Sequence, residues 1–182
     1  MPGALLPRIR AYARNADPRV AAGNAVALVV AANQPFYPLY VAWFVGDARP
    51  ALFTLLSTPF FLAVPAVARR SPVAGRALLV LAGVGNTMLA AKAFGVASGV
   101  EAFLAPCVVL AGLLFRPGER SAAFILIAIA FGAFLVLHDS YGRPWHVYSA
   151  VEYAAFVRLN AISAGGLLAF IGLTFAGSER LG

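Results

Sequence analysis

The chain has little charge, and acidic residues are especially scarce. Of its 182 residues only 12% are charged, with 7 Asp and Glu against 14 Lys and Arg, while 62% are hydrophobic. A soluble domain is about half apolar and about a quarter charged, so a soluble fold could not cover this much apolar surface. The shortage of charge predicts a membrane protein, and no stretch has the polar composition of a separate soluble domain.

The signatures of catalysis, of cofactor binding and of nucleic-acid binding are missing as well. There is no Gly-rich phosphate loop, no nucleophile elbow and no pair of carboxylates on one helix, so we predict no enzymatic activity and no cofactor. The net charge of +7 is not gathered into one basic stripe, which argues against a nucleic-acid partner. The single cysteine, Cys107, excludes an intrachain disulfide. Because it lies in an apolar run, we assign it to packing.

Long apolar runs, in contrast, are abundant. A helix that crosses the hydrocarbon core of a bilayer needs about 20 mainly apolar residues, and six segments approach or exceed this length. These segments are residues 20–45, 50–68, 75–95, 99–116, 121–138 and 150–177. The glycines at positions 95 and 99 predict a tight turn between the third and fourth segments. We therefore predict an all-α polytopic membrane protein, a six-transmembrane-helix bundle over residues 20–177.

The flanking segments and the basic residues predict the orientation of this bundle. Residues 1–19 are expected in the cytoplasm, where they could form a short interfacial helix, and residues 178–182 form a cytoplasmic stub. Ten basic residues then lie inside, namely Arg8, Arg10, Arg14, Arg19, Arg69, Arg70, Arg76, Arg116, Arg120 and Arg180. Four lie outside, namely Arg49, Lys92, Arg143 and Arg158. By the positive-inside rule this distribution places both termini in the cytoplasm.

Aromatic residues and histidines are concentrated in the opposite, outer half. Both tryptophans, both histidines and five of the six tyrosines map there, namely Trp43, Trp145, His138, His146, Tyr37, Tyr40, Tyr141, Tyr148 and Tyr153. Two interpretations remain open, a one-sided interfacial belt and an outward-facing ligand pocket. Because aromatic belts normally occur at both interfaces, we favour the pocket.

Several polar side chains inside the predicted spans are costly in lipid unless they pair or line a cavity. We predict that eight residues line or gate the pocket, namely Tyr37, Tyr40, Asn86, Lys92, Glu101, His138, Arg158 and Asn160. Lys92 and Glu101 flank the turn between the third and fourth spans, where they either pair with each other or contact a ligand. Arg158 is expected to pair with Glu101 or Asp139 on another helix.

The loop between the fifth and sixth spans contains the residue types that bind divalent metals. The candidates are His138, Asp139, His146 and Glu152. Their spacing matches no strong metal motif, so no metal is predicted. Histidines that respond to pH, or that simply lie at the interface, are the alternative interpretation.

The order of several short motifs resembles a bacterial family, the six-helix membrane input module of class III adenylate cyclases, some diguanylate cyclases and quorum-sensing histidine kinases. The motifs are Arg-Arg-Ser-Pro-Val-Ala-Gly-Arg at 69–76, Asn86, Phe-Gly-Val-Ala-Ser-Gly-Val-Glu-Ala-Phe at 94–103, Leu-Leu-Phe-Arg-Pro-Gly-Glu-Arg at 113–120, and Arg-Leu-Asn at 158–160. The resemblance covers roughly residues 20–177. It implies a homodimeric receptor of the bacterial inner membrane for small, often lipophilic signals, with a cytoplasmic kinase or cyclase effector.

The chain departs from this pattern after Gly177, since residues 178–182 are too few to form an effector domain. The expected function is therefore a sensor or receptor module that acts on a partner or on a further part of the protein, with membrane lipids around it. A small transporter or channel is the first alternative. A metal-dependent membrane enzyme or assembly factor is the second, and it depends only on the histidine-containing loop.

Overall fold

In the computed structural model, the described part of the chain is residues 5–179, and its regular elements are all helical. The α-helices are α1 (Leu5–Ala13), α2 (Pro18–Asn33), α3 (Tyr37–Phe44), α4 (Thr58–Arg70), α5 (Pro72–Phe94), α6 (Leu104–Leu114), α7 (Arg120–Leu137) and α8 (Ala150–Glu179). Short 3-10 segments are Gln34–Phe36, Arg49–Ser57, Val96–Ser98, Val100–Phe103 and Pro117–Glu119. The all-α prediction is confirmed for these residues. Arg180, placed on the inner side above, lies outside them.

Five helical stretches are long and apolar enough to cross a bilayer. They are Pro18–Phe44, Arg49–Arg70, Pro72–Phe94, Pro117–Leu137 and Ala150–Gly177. The remaining predicted span corresponds to a shorter apolar helix, Val100–Leu114, which begins after Gly99 in the left-handed region (φ 69°) and ends where Phe115 turns extended. The structure therefore shows a multi-pass, membrane-like helical protein, with five stretches of spanning length in place of the six predicted.

The helical stretches run back and forth between two ends of the bundle. At the first end the start of α2 meets the end of α6, where Arg19 Nη1 donates to the carbonyl of Phe115 at 2.6 Å. Arg76, only 3% exposed, donates to Leu114 O at 2.7 Å and forms a two-pronged ion pair with Glu119 at 2.8 and 2.9 Å. We call this the arginine end; it contains the start of α2, the α4–α5 and α6–α7 turns and the end of α8.

The opposite end contains residues 45–48, the 95–99 turn and the 138–149 loop, and we call it the aromatic end. Tyr148 donates its hydroxyl proton to Asp47 O at 2.7 Å, and Lys92 Nζ donates to Tyr141 O at 2.8 Å. A cluster of rings fills the space beneath, with the Phe94 and Phe156 centroids 5.0 Å apart. These contacts join the loop before the second span to the long loop before α8.

Prolines shape the first two stretches. Pro35 has no N–H to donate, and its ring disfavours a regular helix, so the chain winds as a 3-10 segment over Gln34–Phe36 between α2 and α3. The second stretch begins with nine residues of 3-10 helix, Arg49–Ser57, although such runs seldom exceed three or four residues. There the hydroxyl of Thr54 donates to Ala51 O at 2.7 Å. Both stretches thus combine 3-10 and α-helical segments.

Candidate functional site

A cavity of about 310 Å³ lies in the middle of the bundle, with walls from α2 to α6 and α8. Apolar side chains form most of its surface. Its uncharged polar lining residues are Asn33, Gln34, Tyr37, Thr54, Asn86, Thr87, Cys107 and Ser163. The described residues contribute no charged side chain to this lining. Because burying an unpaired charge is far more costly than burying a neutral polar group, the cavity suits an uncharged molecule.

Two amides and a hydroxyl form a connected polar group on one wall of the cavity. Gln34 Nε2 donates to Ser57 Oγ at 2.6 Å. The Ser57 hydroxyl lies 2.9 Å from Asn86 Oδ1 and 2.8 Å from Thr54 O, so it can donate to either. Within residues 5–179, neither Gln34 Oε1 nor Asn86 Nδ2 has a hydrogen-bond partner. One acceptor and one donor therefore remain available to a ligand.

The side of the cavity nearest the aromatic end is held by a buried hydrogen-bond chain. Tyr37, on the cavity wall, donates its hydroxyl proton to Asn160 Oδ1 at 2.8 Å, and Asn160 Nδ2 donates to Ser98 O at 2.9 Å. Asn160 is completely buried. The hydrogen-bond chain therefore connects α3, α8 and the 95–99 turn directly.

The cavity opens sideways between α2 and α8. Among its lining residues the exposed ones are Val29 and Asn33 on α2 and Gly166 on α8. A Cβ added at Gly166 would meet no atom within 4 Å, so the glycine leaves free space at the opening. The entrance therefore faces the side of the helical bundle and not either of its ends.

Toward the arginine end the cavity is closed by apolar packing. Leu79 and Leu110 form the lining there, and Leu114, fully buried, lies beyond them. The close approach of α2 to α6 completes this floor, since a Cβ on Gly23 would lie 3.0 Å from Leu114 Cδ2. The cavity is thus a side pocket with an apolar floor.

The structure places three of the eight predicted site residues at this cavity. Tyr37 and Asn86 line it, and Asn160 lies one hydrogen bond behind Tyr37. Tyr40 instead stacks on Phe36, with centroids 6.5 Å apart, and does not belong to the lining. Three neutral members of the predicted set therefore meet at or behind the cavity wall, whereas Tyr40 and the charged members lie elsewhere.

The predicted pairings of the charged residues are wrong. Lys92 does not pair with Glu101, because its ammonium group binds the carbonyls of Tyr141 and Arg143 at 2.8 and 2.9 Å and so anchors the 138–149 loop. Glu101 instead contacts His138 Nδ1 at 2.6 Å, across from the end of α7. Arg158 has no ion-pair partner in the described part of the chain, because it lies on the exposed face of α8.

The four metal candidates are dispersed among other contacts. His138 faces Glu101, and His146 Nδ1 lies 3.6 Å from Asp47 Oδ2. Glu152 caps the start of α8, since its Oε2 accepts from Ser149 N at 2.7 Å in a capping box. Residues 5–179 contain no group of three or more His, Cys, Asp or Glu side chains that could hold a metal.

Asp47 has the most strongly perturbed carboxyl at the aromatic end. Arg49 forms a two-pronged pair with it, with Nη2 to Oδ2 at 2.6 Å, and Arg49 N donates to Oδ1 at 3.0 Å. These hydrogen bonds lower the pKa of Asp47 to about 2. The carboxylate is therefore ionised at neutral pH and holds the 45–48 segment beside His146.

Sequence reasoning missed several lining residues. Gln34 was not among the predicted site residues, and Cys107 was assigned to packing, although both side chains form part of the cavity wall. The available signal was the Asn33-Gln34-Pro35 sequence, because amides beside a helix-breaking proline within an apolar run indicate a polar break in a helix. Thr87 and Ser163 gave no such signal, since a hydroxyl in an apolar helix can satisfy itself on a preceding backbone carbonyl.

Comparisons of this chain with protein-family models, with curated proteins and with solved structures find no match.

Proposed function

We propose that the protein is a membrane-embedded sensor, in which the central cavity binds a small, uncharged, lipophilic ligand and α8 passes the resulting change to a cytoplasmic or partner effector. The observation that carries this proposal is the hydrogen-bond chain from the cavity wall to α8 through Tyr37 and Asn160. Unpartnered amide groups beside it supply the means of recognition. A sensor of this kind does not require a catalytic arrangement of side chains.

The ligand class follows from the lining and the entrance. A cavity of about 310 Å³ is at the lower end of the range for small-molecule sites, so the ligand is small. Its apolar part would contact the aliphatic walls, and one polar group would bond to Asn86 Nδ2 or Gln34 Oε1. Entry between α2 and α8 would proceed from within the bilayer, which favours a molecule that partitions into lipid.

A sensor requires that ligand binding favour one of two arrangements of the protein. Here the 3-10 segment Gln34–Phe36 interrupts the helix at the cavity wall, and a ligand that contacts Gln34 would alter the position of Tyr37. Because the Tyr37 hydroxyl binds Asn160 on α8, α8 would shift with it. The long α8 extends from the aromatic end to the arginine end and could carry this shift across the membrane.

The proposal includes six crossings with both termini in the cytoplasm of a bacterial inner membrane, where the protein would act as a homodimer as the family resemblance implies. The short crossing has four residues of 3-10 helix and eleven of α-helix, which together rise by about 25 Å. This length is a few ångströms below the roughly 30 Å of the hydrocarbon core. Local thinning of the bilayer accommodates such a mismatch at modest cost.

The test measures ligand binding and the resulting movement of α8 separately. It uses 1-decanol as an uncharged probe of the cavity. Spin labels at Arg70→Cys and Ala176→Cys, in a Cys107→Ser background, report the distance between the end of α4 and the end of α8. We expect saturable binding of 1-decanol and a change in this distance. Tyr37→Phe should retain binding and lose the distance change, whereas Tyr40→Phe should retain both. Absence of saturable binding, or binding with an unchanged distance, would contradict the proposal.

A small transporter is the second candidate, and the interrupted helix between α2 and α3 is the observation that favours it, because discontinuous helices are common in transporters. The apolar floor at Leu79, Leu110 and Leu114 argues against it, since no polar residue there continues a pathway. Flux of a substrate through proteoliposomes that is lost in Lys92→Ala or Arg158→Ala would favour transport over sensing.

A further inference from the structure

A second concave site lies at the arginine end, where α6, α7 and α8 meet the start of α2. Its volume is about 520 Å³, and it shares no lining residue with the central cavity. We call it the terminal groove. One part of its lining is strongly basic and the rest is apolar. These two parts match the charged headgroup and the apolar acyl chains of a lipid.

The basic part contains Arg19, Arg116 and Arg120, with Asp17 as the single acidic residue. Arg116 Nη2 pairs with Asp17 Oδ2 at 2.9 Å, and Arg19 directs Nη1 to a backbone carbonyl. Arg120 is exposed and has no hydrogen-bond or ion-pair partner within residues 5–179. The groove therefore has excess positive charge and one guanidinium whose donors are all available.

The apolar part continues along α6 and α7. Leu113 and Phe124 are 38% and 67% exposed and lie beside Ala123 and Ile127. Gly112 stands in the groove, and a Cβ added there would meet nothing within 4 Å. The groove thus offers a shallow apolar channel directly adjoining the arginines.

We propose that the terminal groove binds an anionic phospholipid, with the headgroup phosphate at Arg120, Arg116 and Arg19 and an acyl chain along Gly112, Leu113 and Phe124. Guanidinium groups bind phosphate oxygens in paired hydrogen bonds, and basic pockets between membrane helices bind anionic headgroups. Charge complementarity favours an anionic lipid over a zwitterionic one, whose own cation would be repelled. The apolar channel favours a lipid over a free phosphate ion.

The experiment titrates the purified full chain with dioleoylphosphatidylglycerol and follows the bound complexes by native mass spectrometry. Dioleoylphosphatidylcholine and inorganic phosphate form the two comparison arms. We expect phosphatidylglycerol to bind most tightly, and Arg120→Gln to weaken it about fivefold, the effect of losing one arginine near a headgroup. Arg70→Gln is the matched control, because Arg70 is exposed at the same end but does not line the groove.

Gly112→Leu tests the apolar channel independently of charge. It should abolish the preference for phosphatidylglycerol, whereas Gly132→Leu should not, although a Cβ at either glycine has open space. Equal losses of phosphatidylglycerol affinity in Arg120→Gln and Arg70→Gln would show that overall charge alone attracts the lipid. That result would overturn the assignment of the terminal groove as its binding site. Full displacement of the lipid by millimolar phosphate, or equal binding of phosphatidylcholine, would overturn the assignment to an anionic lipid.

Discussion

At the level of single residues, charged and neutral polar groups have different tasks in this molecule. Lys92 binds two loop carbonyls, and Asp47 binds Arg49, so these charges hold the aromatic end together. Asn86 and Gln34 keep hydrogen-bonding capacity unused at the cavity. Neutral amides at the cavity avoid the cost of stripping water from a charge inside an apolar bundle.

The Tyr37 hydroxyl is expected to stabilise the folded protein. Tyr37→Phe would remove a hydrogen bond that satisfies Asn160 Oδ1, which is completely buried. The expected loss is about 1 kcal/mol in the free energy of unfolding, the order found for buried hydrogen bonds. Unfolding in mixed micelles with increasing SDS measures it. Tyr40→Phe, which breaks no such bond, should leave the midpoint unchanged, and equal midpoints for both variants would contradict the role of Tyr37.

Asp47 provides a prediction about pH. Its pKa is lowered to about 2, chiefly by the Arg49 side chain, so the contribution of the ionised carboxylate is complete at neutral pH and is lost as the pH falls through about 2. The side-chain carboxyl ¹³C shift of Asp47, assigned with Asp47→Asn, should therefore stay at its ionised value down to pH 4. Arg49→Gln should raise the pKa. A midpoint near 4 in the parent protein would contradict the pairing.

The residue types in the sequence predicted part of the site. The partners of the long charged side chains could not be predicted, because such side chains can reach several neighbouring segments. Asn86 and Asn160 were named as site residues because an amide in lipid needs a partner, and in the structure they bind Ser57 and Tyr37. Lys92 and Glu101 were expected either to pair across their turn or to contact a ligand, yet each is long enough to reach the 138–149 region. Which partner such a side chain chooses depends on how the loop folds back, and helical periodicity contains no information about that.

At the level of elements, the sequence predicts helices well and their irregularities poorly. Apolar length identified the five stretches of spanning length and the shorter Val100–Leu114, and Gly95 and Gly99, with φ of 86° and 69°, form the predicted turn. The 3-10 character of Arg49–Ser57 was not predicted, because it depends on hydroxyl-to-carbonyl bonds such as that of Thr54 and on packing against α5. The shortness of Val100–Leu114 likewise follows from the conformations of Gly99 and Phe115.

The crossing of α4 and α5 depends on Gly75. A Cβ at this position would clash with Ala68 Cβ and lie 2.6 Å from Ala68 Cα, and backbone atoms cannot move aside locally. Gly75→Ala should therefore destabilise the protein by at least about 1–3 kcal/mol, the usual cost of overpacking. Gly85→Ala is the control on the same helix, since its Cβ would meet nothing within 4 Å. SDS unfolding compares the two, and equal stability would refute this packing.

At the level of the whole molecule, the two ends differ in charge and in the contacts that hold them together. Nine described arginines lie at the arginine end, among them Arg76 with its buried pair to Glu119. The loops of the aromatic end are tied to one another by Tyr148 and Lys92. The central cavity lies between the hydrogen-bonded aromatic end and an apolar floor, and its entrance is lateral. This division fits a protein that receives a lipid-soluble ligand and responds through one long helix.

The short stretch Val100–Leu114 is the critical element of the proposed topology. In a Cys107→Ser background, Ala97→Cys and Gly118→Cys place thiols just before and just after it. We expect a membrane-impermeant maleimide to label these two positions from opposite sides of sealed vesicles. Ser71→Cys, between α4 and α5, should be labelled from the same side as Gly118→Cys. Labelling of positions 97 and 118 from one side would contradict six crossings.

The most direct test of the lateral cavity uses Cys107, the only cysteine in the chain, which lines its wall. The measurement is the rate of Cys107 modification by uncharged methyl methanethiolsulfonate and by its anionic sulfonatoethyl analogue. We predict that only the uncharged reagent reacts, that 1-decanol slows it, and that Gly166→Leu slows it while the neighbouring Gly165→Leu does not. Modification that is indifferent to 1-decanol and to Gly166→Leu would contradict the ligand cavity and its entrance between α2 and α8.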